Sequence, residues 1–273
     1  MKSTRGPSLV ATRALTLVLA TALSLWSMPG LAQTPPERLS DRNVKTLIDQ
    51  VDEARDQFEG NLDHKLKNST LRGPNGETNV PALLQDYQDN TKKLQQRFDD
   101  SYAASAEVAT VLKQAAAIDR FMQSTSSVMK GRIEWDREAA SLKHLAAAYG
   151  TTFPMPDGAT ARRINDKETA AAAAAIVTAA DRLKDDLDNL KTLPKPEKDA
   201  ARRDIEMLIK HAETVKDRTS DGKPATAEVR QLVEQVARVR TFVDAHQTPT
   251  AMTNWQTVQT SVGTLHQAFG LTK

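Results

Sequence analysis

Residues 103–122, AASAEVATVLKQAAAIDRFM, return in diverged form at 224–243 as PATAEVRQLVEQVARVRTFV. From Ala104/Ala225 to Met122/Val243, seven of nineteen positions are identical without a gap, among them Glu107/Glu228, Val108/Val229, Gln114/Gln235 and Phe121/Phe242. Downstream, EWDREAASLKHLAAAYG at 134–150 answers to NWQTVQTSVGTLHQAFG at 254–270, pairing Trp135 with Trp255 and Gly150 with Gly270. Alanine-rich helices inflate identity. A tryptophan, a phenylalanine and a glycine repeated in one order are not a product of alanine bias, so the sequence reads as an internal duplication.

Within this stretch Val108, Val111, Ala115, Ile118 and Met122 step by three and four residues, and Val229, Leu232, Val236, Val239 and Val243 repeat those steps. Such spacing lines one stripe of an α-helix. The two segments that follow, from about Trp135 to Tyr149 and from Trp255 to Phe269, are a further helix pair, each ended by a glycine suited to a left-handed C-terminal cap. Upstream, Ser40-Asp-Arg-Asn is an N-cap with an acidic first turn, and Val44, Leu47, Val51, Ala54, Phe58 and Leu62 form the next stripe. Its repeat opens at Asn165-Asp-Lys-Glu, 125 residues on, with Ala54/Ala179, Asp56/Asp181, Phe58/Leu183, Leu62/Leu187 and Asp63/Asp188 in register. The run Ala170 to Ala175 favours helix strongly and lets a neighbour approach closely.

The remaining pair has Pro81 in a first helical turn and Leu84, Tyr87, Thr91, Leu94 and Phe98 on its stripe, matched by Ile205, Leu208, Ala212 and Val215. Between the repeats, Thr151-Thr-Phe-Pro-Met-Pro-Asp-Gly158 cannot continue a helix. The expected fold is therefore all-α: two tandem antiparallel four-helix bundles, or one elongated eight-helix body, with units at 33–150 and 164–273 and a linker at 151–163.

Residues 1–32 carry the pattern of a secretory signal peptide, with basic Lys2, Arg5 and Arg13, an apolar run from Ala14 to Trp26, and small residues at Gly30 and Ala32 before a cleavage point ahead of Gln33. Left unprocessed, the same leader would tether the domain. The expected location is exported, periplasmic or extracellular, with no membrane span in the mature chain. The full chain has 37 Lys+Arg and 35 Asp+Glu; the leader holds three of the basic residues, which leaves 34 against 35. Both signs are interleaved along the helices, so there is no electrostatic case for nucleic acid or anionic lipid. The absence of cysteine removes disulfides, a thiol nucleophile, a lipid-modified cysteine and covalently attached haem.

The search for chemistry finds no catalytic constellation and implies no cofactor or metal. His64, His144, His211, His246 and His266 each lack an Asp or Glu three or four residues away, the local half of a bundle metal site. Non-covalent haem would need His with His or Met, and Met122, Met129, Met207 and Met252 are available, although methionine is more often core filler. Ser127-Val-Met-Lys130 matches S-x-x-K without its companion motifs, and neither G-x-S-x-G nor a phosphate-binding glycine loop occurs. Glu107 and Glu228 read as first-turn residues favoured by the helix dipole. Asn68-Ser-Thr70 matches the short pattern of a glycosylation sequon. Trp135 and Trp255 read as packing anchors before they read as a ligand platform.

Residues 67–80, KNSTLRGPNGETNV, lack helical periodicity and read as a loop, four residues longer than its counterpart near Leu193-Pro-Lys-Pro196. Leu71, Arg72, Gly73, Pro74, Asn75 and Gly76 at its tip are the candidate interaction residues. The expected function is an exported, non-enzymatic module that binds a partner protein or a cell-envelope component; a bundle holding a small ligand, haem or metal is the alternative.

Overall fold

The computed structural model of this chain describes residues 38–73, 76–124 and 129–271. The leader, Pro74, Asn75 and Ser127 lie outside them. Helices dominate: α1 (Asp41–Asn61), a single turn α2 (His64–Lys67), α3 (Val80–Ser101), α4 (Ser105–Ser124), α5 (Arg132–Ala148), α6 (Asp166–Asn189), α7 (Lys195–Ser220), α8 (Thr226–Ala245) and α9 (Pro249–Phe269). None of the described helices is long and apolar enough to cross a membrane.

The helix ends form where short polar side chains take up otherwise unpaired backbone N–H groups. Ser40, Asn79, Asn165 and Thr248 accept from the backbone N–H groups of Asn43, Ala82, Glu168 and Ala251 respectively. At the other end, Gly150 and Gly270 adopt φ of 66° and 60°. Thr151 N–H returns to Ala146 O and Leu271 N–H to His266 O, both at 3.0 Å, the wide closure of a Schellman cap. Gly131, at φ 88°, precedes α5 and passes so close to Leu62 that an added Cβ would lie 3.3 Å from the Leu62 Cα. Both its dihedral and its surroundings therefore require glycine.

Each apolar stripe turns inward. In the N-terminal half, α1 packs on α3 and α5, and α4 packs on both α3 and α5; in the C-terminal half, α6 packs on α7 and α9, and α8 on α7 and α9. Extensive helix-on-helix packing stays within each half. Two hydrophobic clusters result, one centred on Phe58, Tyr87, Phe98 and Trp135, the other on Ile176, Leu208, Leu232 and Trp255. Phe153, Met155 and Ala161 from the connecting segment pack into the first.

The structure corrects the sequence reading at three places. On α1, Ile48 and Arg55 are buried where the stripe was expected to run through Leu47 and Ala54, which are only half-buried. Steps of four-three-four-three satisfy helical geometry as well as three-four-three-four, so only packing decides which edge of the stripe is covered. On α8, Gln235 is buried and Val236 half-buried; the amide is satisfied by donating to Asp204 O at 2.8 Å. Residues 67–80 are not an irregular loop: after α2 they form an antiparallel hairpin, β1 (Thr70–Gly73) with β2 (Gly76–Asn79), in the register Thr70↔Asn79, Leu71↔Thr78, Arg72↔Glu77 and Gly73↔Gly76. The second half spends the matching residues on an earlier start of α7.

Candidate functional site

The segments that lead into α1 and α6 make contacts that join the halves. Arg38-Leu-Ser-Asp41 and Arg163-Ile-Asn-Asp166 lie 125 residues apart. Arg38 donates to Asp166 Oδ1 at 2.5 Å and to Ile164 O at 2.8 Å. Arg163 donates to Asp41 Oδ1 at 2.5 Å and to Leu39 O at 2.9 Å. Asp41 N–H donates to Asp166 Oδ2 at 2.8 Å, and Asp166 N–H donates to Asp41 Oδ2 at 3.0 Å. Each contact thus recurs with the two segments exchanged, and each aspartate sits on the positive end of the other's helix. The same exchange relates Asn165, whose amide donates to Ser101 O at 3.5 Å, to Ser40, whose Cβ would lie 3.7 Å from a Cβ added at Gly222.

Both arginine side chains are nearly covered, at 8% and 4% exposure. Burial lowers the pKa of Arg38, partly opposed by Asp166. Paired charges this dry are held by geometry, because removing either partner strands the other without water.

Between these segments and the ends of α5 and α9 lies a cavity of about 770 Å³. Its apolar wall includes Leu39, Leu47, Ile164, Ala148, Ala268 and Phe269. Ala148 and Ala268, Gly150 and Gly270, and Leu39 and Ile164 are equivalent positions in the two halves. Arg38, Arg162, Arg163 and His144 also line it, and among the described residues no acidic one does. The Arg38 guanidinium carbon stands 5.5 Å from the centre of the Phe269 ring. The Arg38 Nε is buried and has no hydrogen-bond partner among the described residues. Arg162 is exposed and, among the described residues, its guanidinium meets no carboxylate. The volume falls within the range of roughly 300–1,000 Å³ typical of small-molecule sites.

A second polar feature is confined to the first half. Glu138 of α5 is fully buried and accepts a hydrogen bond from Tyr87 Oη of α3. Its Oε2 has no partner. Burial pushes the Glu138 carboxyl up to about 8, against the Tyr87 hydrogen bond and the Arg55 charge, which pull it down. Buried Arg55 reaches from α1 to Gln88 O on α3 at 3.3 Å and pairs with Asp52 and Asp56 at 2.7 and 2.6 Å. The positions matching Arg55, Tyr87 and Glu138 are Ala180, Leu208 and Val258, all buried and apolar. One core carries a coupled polar cluster where the other carries hydrocarbon.

Leu71, Arg72, Gly73 and Gly76 lie in the hairpin strands. Trp135 and Trp255 are buried at 1% and 2% exposure. Trp135 Nε1 donates to Asp119 Oδ1 at 2.9 Å and its ring meets Phe58 at 5.1 Å, whereas Trp255 Nε1 is buried without a partner. Glu107 and Glu228 pair across the preceding turn with Arg97 and Arg218, at 4.0 and 3.0 Å, which accounts for their repetition. Of the histidines, only His144 lines the cavity; His246 stacks on Phe242 and faces Glu197 at 3.5 Å. No group of three metal-ligating side chains occurs among the described residues. Met122 is core, while Met207 and Met252 are exposed. Lys130 is exposed at the end of the S-x-x-K match.

Arg38 and Arg163 escape the sequence reading, although a signal exists: the pattern Arg, Leu or Ile, a capping residue, Asp occurs twice at the same offset as the helices that follow. Comparison with protein-family models, with curated proteins and with solved structures finds no match.

Proposed function

We propose that this chain is an exported, non-catalytic binding module made of two duplicated antiparallel four-helix units, 33–150 and 164–273, and that it holds a small apolar molecule between them. The observation that carries this reading is the cavity of about 770 Å³ walled by equivalent residues of both halves. Reciprocal contacts between Arg38-Leu-Ser-Asp41 and Arg163-Ile-Asn-Asp166 support the duplication, since a fused pair of identical units would retain such an exchange-symmetric interface. Of the ligand classes open to an exported bundle, an apolar one matches walls of leucine, isoleucine, alanine and phenylalanine. The leader at 1–32 is the ground for export.

The test is uptake of Nile red by the purified full chain, repeated on Ala148→Trp and Ala268→Trp, which fill the cavity from either half. Saturable one-to-one binding that both substitutions abolish is the expected result. Dye binding that survives both would refute the site.

A second reading, docking of a protein or envelope partner on the hairpin, is favoured by its presence in one half only. Replacing residues 69–78 with a Gly-Ser linker and repeating in-cell crosslinking tests it; unchanged capture would remove the hairpin from consideration.

A further inference from the structure

Resting on the cavity as binding site, we infer that its ligand is a single-chain amphiphile with a carboxylate head, a long-chain fatty acid in chemical class. The lining charges do not cancel. Arg38 is neutralised by Asp166 and Arg163 by Asp41, which leaves the Arg162 guanidinium with no carboxylate among the described residues. Arg38 lines the same space with its charge already met by Asp166. A guanidinium presents its N–H groups in a fork matched to a carboxylate.

Apart from His144 and Gln267, the rest of the wall asks for hydrocarbon: Leu39, Leu47, Ile164 and Phe269 offer no hydrogen bond from their side chains. A small inorganic anion would leave those walls against water, and a neutral lipid would leave Arg162 unanswered. Charge and hydrocarbon on one molecule satisfy both. The volume suits one chain rather than a two-chain lipid.

Titration calorimetry of the full chain with dodecanoate, dodecanol and acetate tests the assignment. Dodecanoate should bind one site at least tenfold more tightly than dodecanol, and acetate should give no measurable heat. Arg162→Gln should bring dodecanoate to the level of dodecanol and leave dodecanol unchanged; Arg162 is exposed and its side chain takes part in no hydrogen bond among the described residues, so this variant keeps its fold, as circular dichroism would check. Equal affinity for dodecanoate and dodecanol, with Ala148→Trp abolishing both, overturns the carboxylate head while leaving the cavity as a binding site. Preference for dodecanoate that persists in Arg162→Gln also overturns it. Binding of neither chain, or binding indifferent to Ala148→Trp and Ala268→Trp alike, defeats the underlying site as well.

Discussion

Glu138→Gln is the most informative single substitution for the stability of the first half. The Glu138 carboxyl is fully buried and its pKa rises from 4.5 to about 8, chiefly by desolvation. Below about pH 4.5 it is protonated in both folded and unfolded chains and contributes no pH dependence. Between there and about pH 8 the unfolded chain releases the proton and the folded chain keeps it. Because the folded state then binds more protons, stability falls as pH rises, by about 1.4 kcal/mol per unit. The full span corresponds to about 5 kcal/mol, of which roughly 4 should be lost between pH 5 and pH 8. Glutamine has the shape of the protonated acid, accepts the Tyr87 hydrogen bond and has no proton to release. Urea unfolding followed by far-ultraviolet circular dichroism at several pH values gives the comparison. The stability difference between Glu138→Gln and the parent should shift in favour of the variant by about 4 kcal/mol from pH 5 to pH 8. A difference constant to within about 1 kcal/mol would refute the argument, because it would mean that the carboxyl is hydrated or paired more strongly than its surroundings of Tyr87, Arg55, Glu59 and Asp52 imply.

Arg163→Ala strands Asp41 at the junction and should cost about 3–5 kcal/mol by urea unfolding, and the double variant with Arg38→Ala should cost less than the two singles added; a loss under about 1 kcal/mol, or strict additivity, would show that the exchanged contacts do not act as one unit. Trp135→Ala and Trp255→Ala should each cost roughly 3–5 kcal/mol as buried anchors, and an unmoved thermal midpoint for either would count against that packing role. The indole N–H separates them: Trp135→Phe should be the more damaging, since it breaks the bond to Asp119, while Trp255→Phe removes a donor that has no partner, and the reverse order would contradict this account. Replacing residues 69–78 with a Gly-Ser linker should leave the helical signal and cooperative unfolding intact, because the described core residues all lie outside that segment; loss of the fold would show that the hairpin is structural.

Local order in this chain was written into the sequence because it depends on neighbours a few residues apart. The capping residues Ser40, Asn165, Gly150 and Gly270, and the stripes of α3 and α4, lie where propensity and period place them. The helical character followed from those signals, and so did the burial of both tryptophans. The hairpin did not, since Leu71-Arg-Gly73 and Gly76-Glu-Thr78 are too short and too polar for an alternating pattern to stand out, and pairing across the turn is what makes them strands. Ile48 against Leu47 was undecidable for a different reason: adjacent positions on one helix edge differ only in which neighbour covers them. The repeated Arg38-Leu-Ser-Asp41 and Arg163-Ile-Asn-Asp166 pattern is in the sequence, but the cavity belongs to tertiary structure. Arg38 and Arg163, and the walls contributed by Leu47, Ala148 and Ala268, stand far apart along the chain, and their meaning comes from being brought to one cavity. A charged side chain such as Arg55 or Glu138 looks solvent-facing by type, and only the packing of α1, α3 and α5 shows it to be buried, because residue type carries hydrophobicity but not the identity of the surface laid against it.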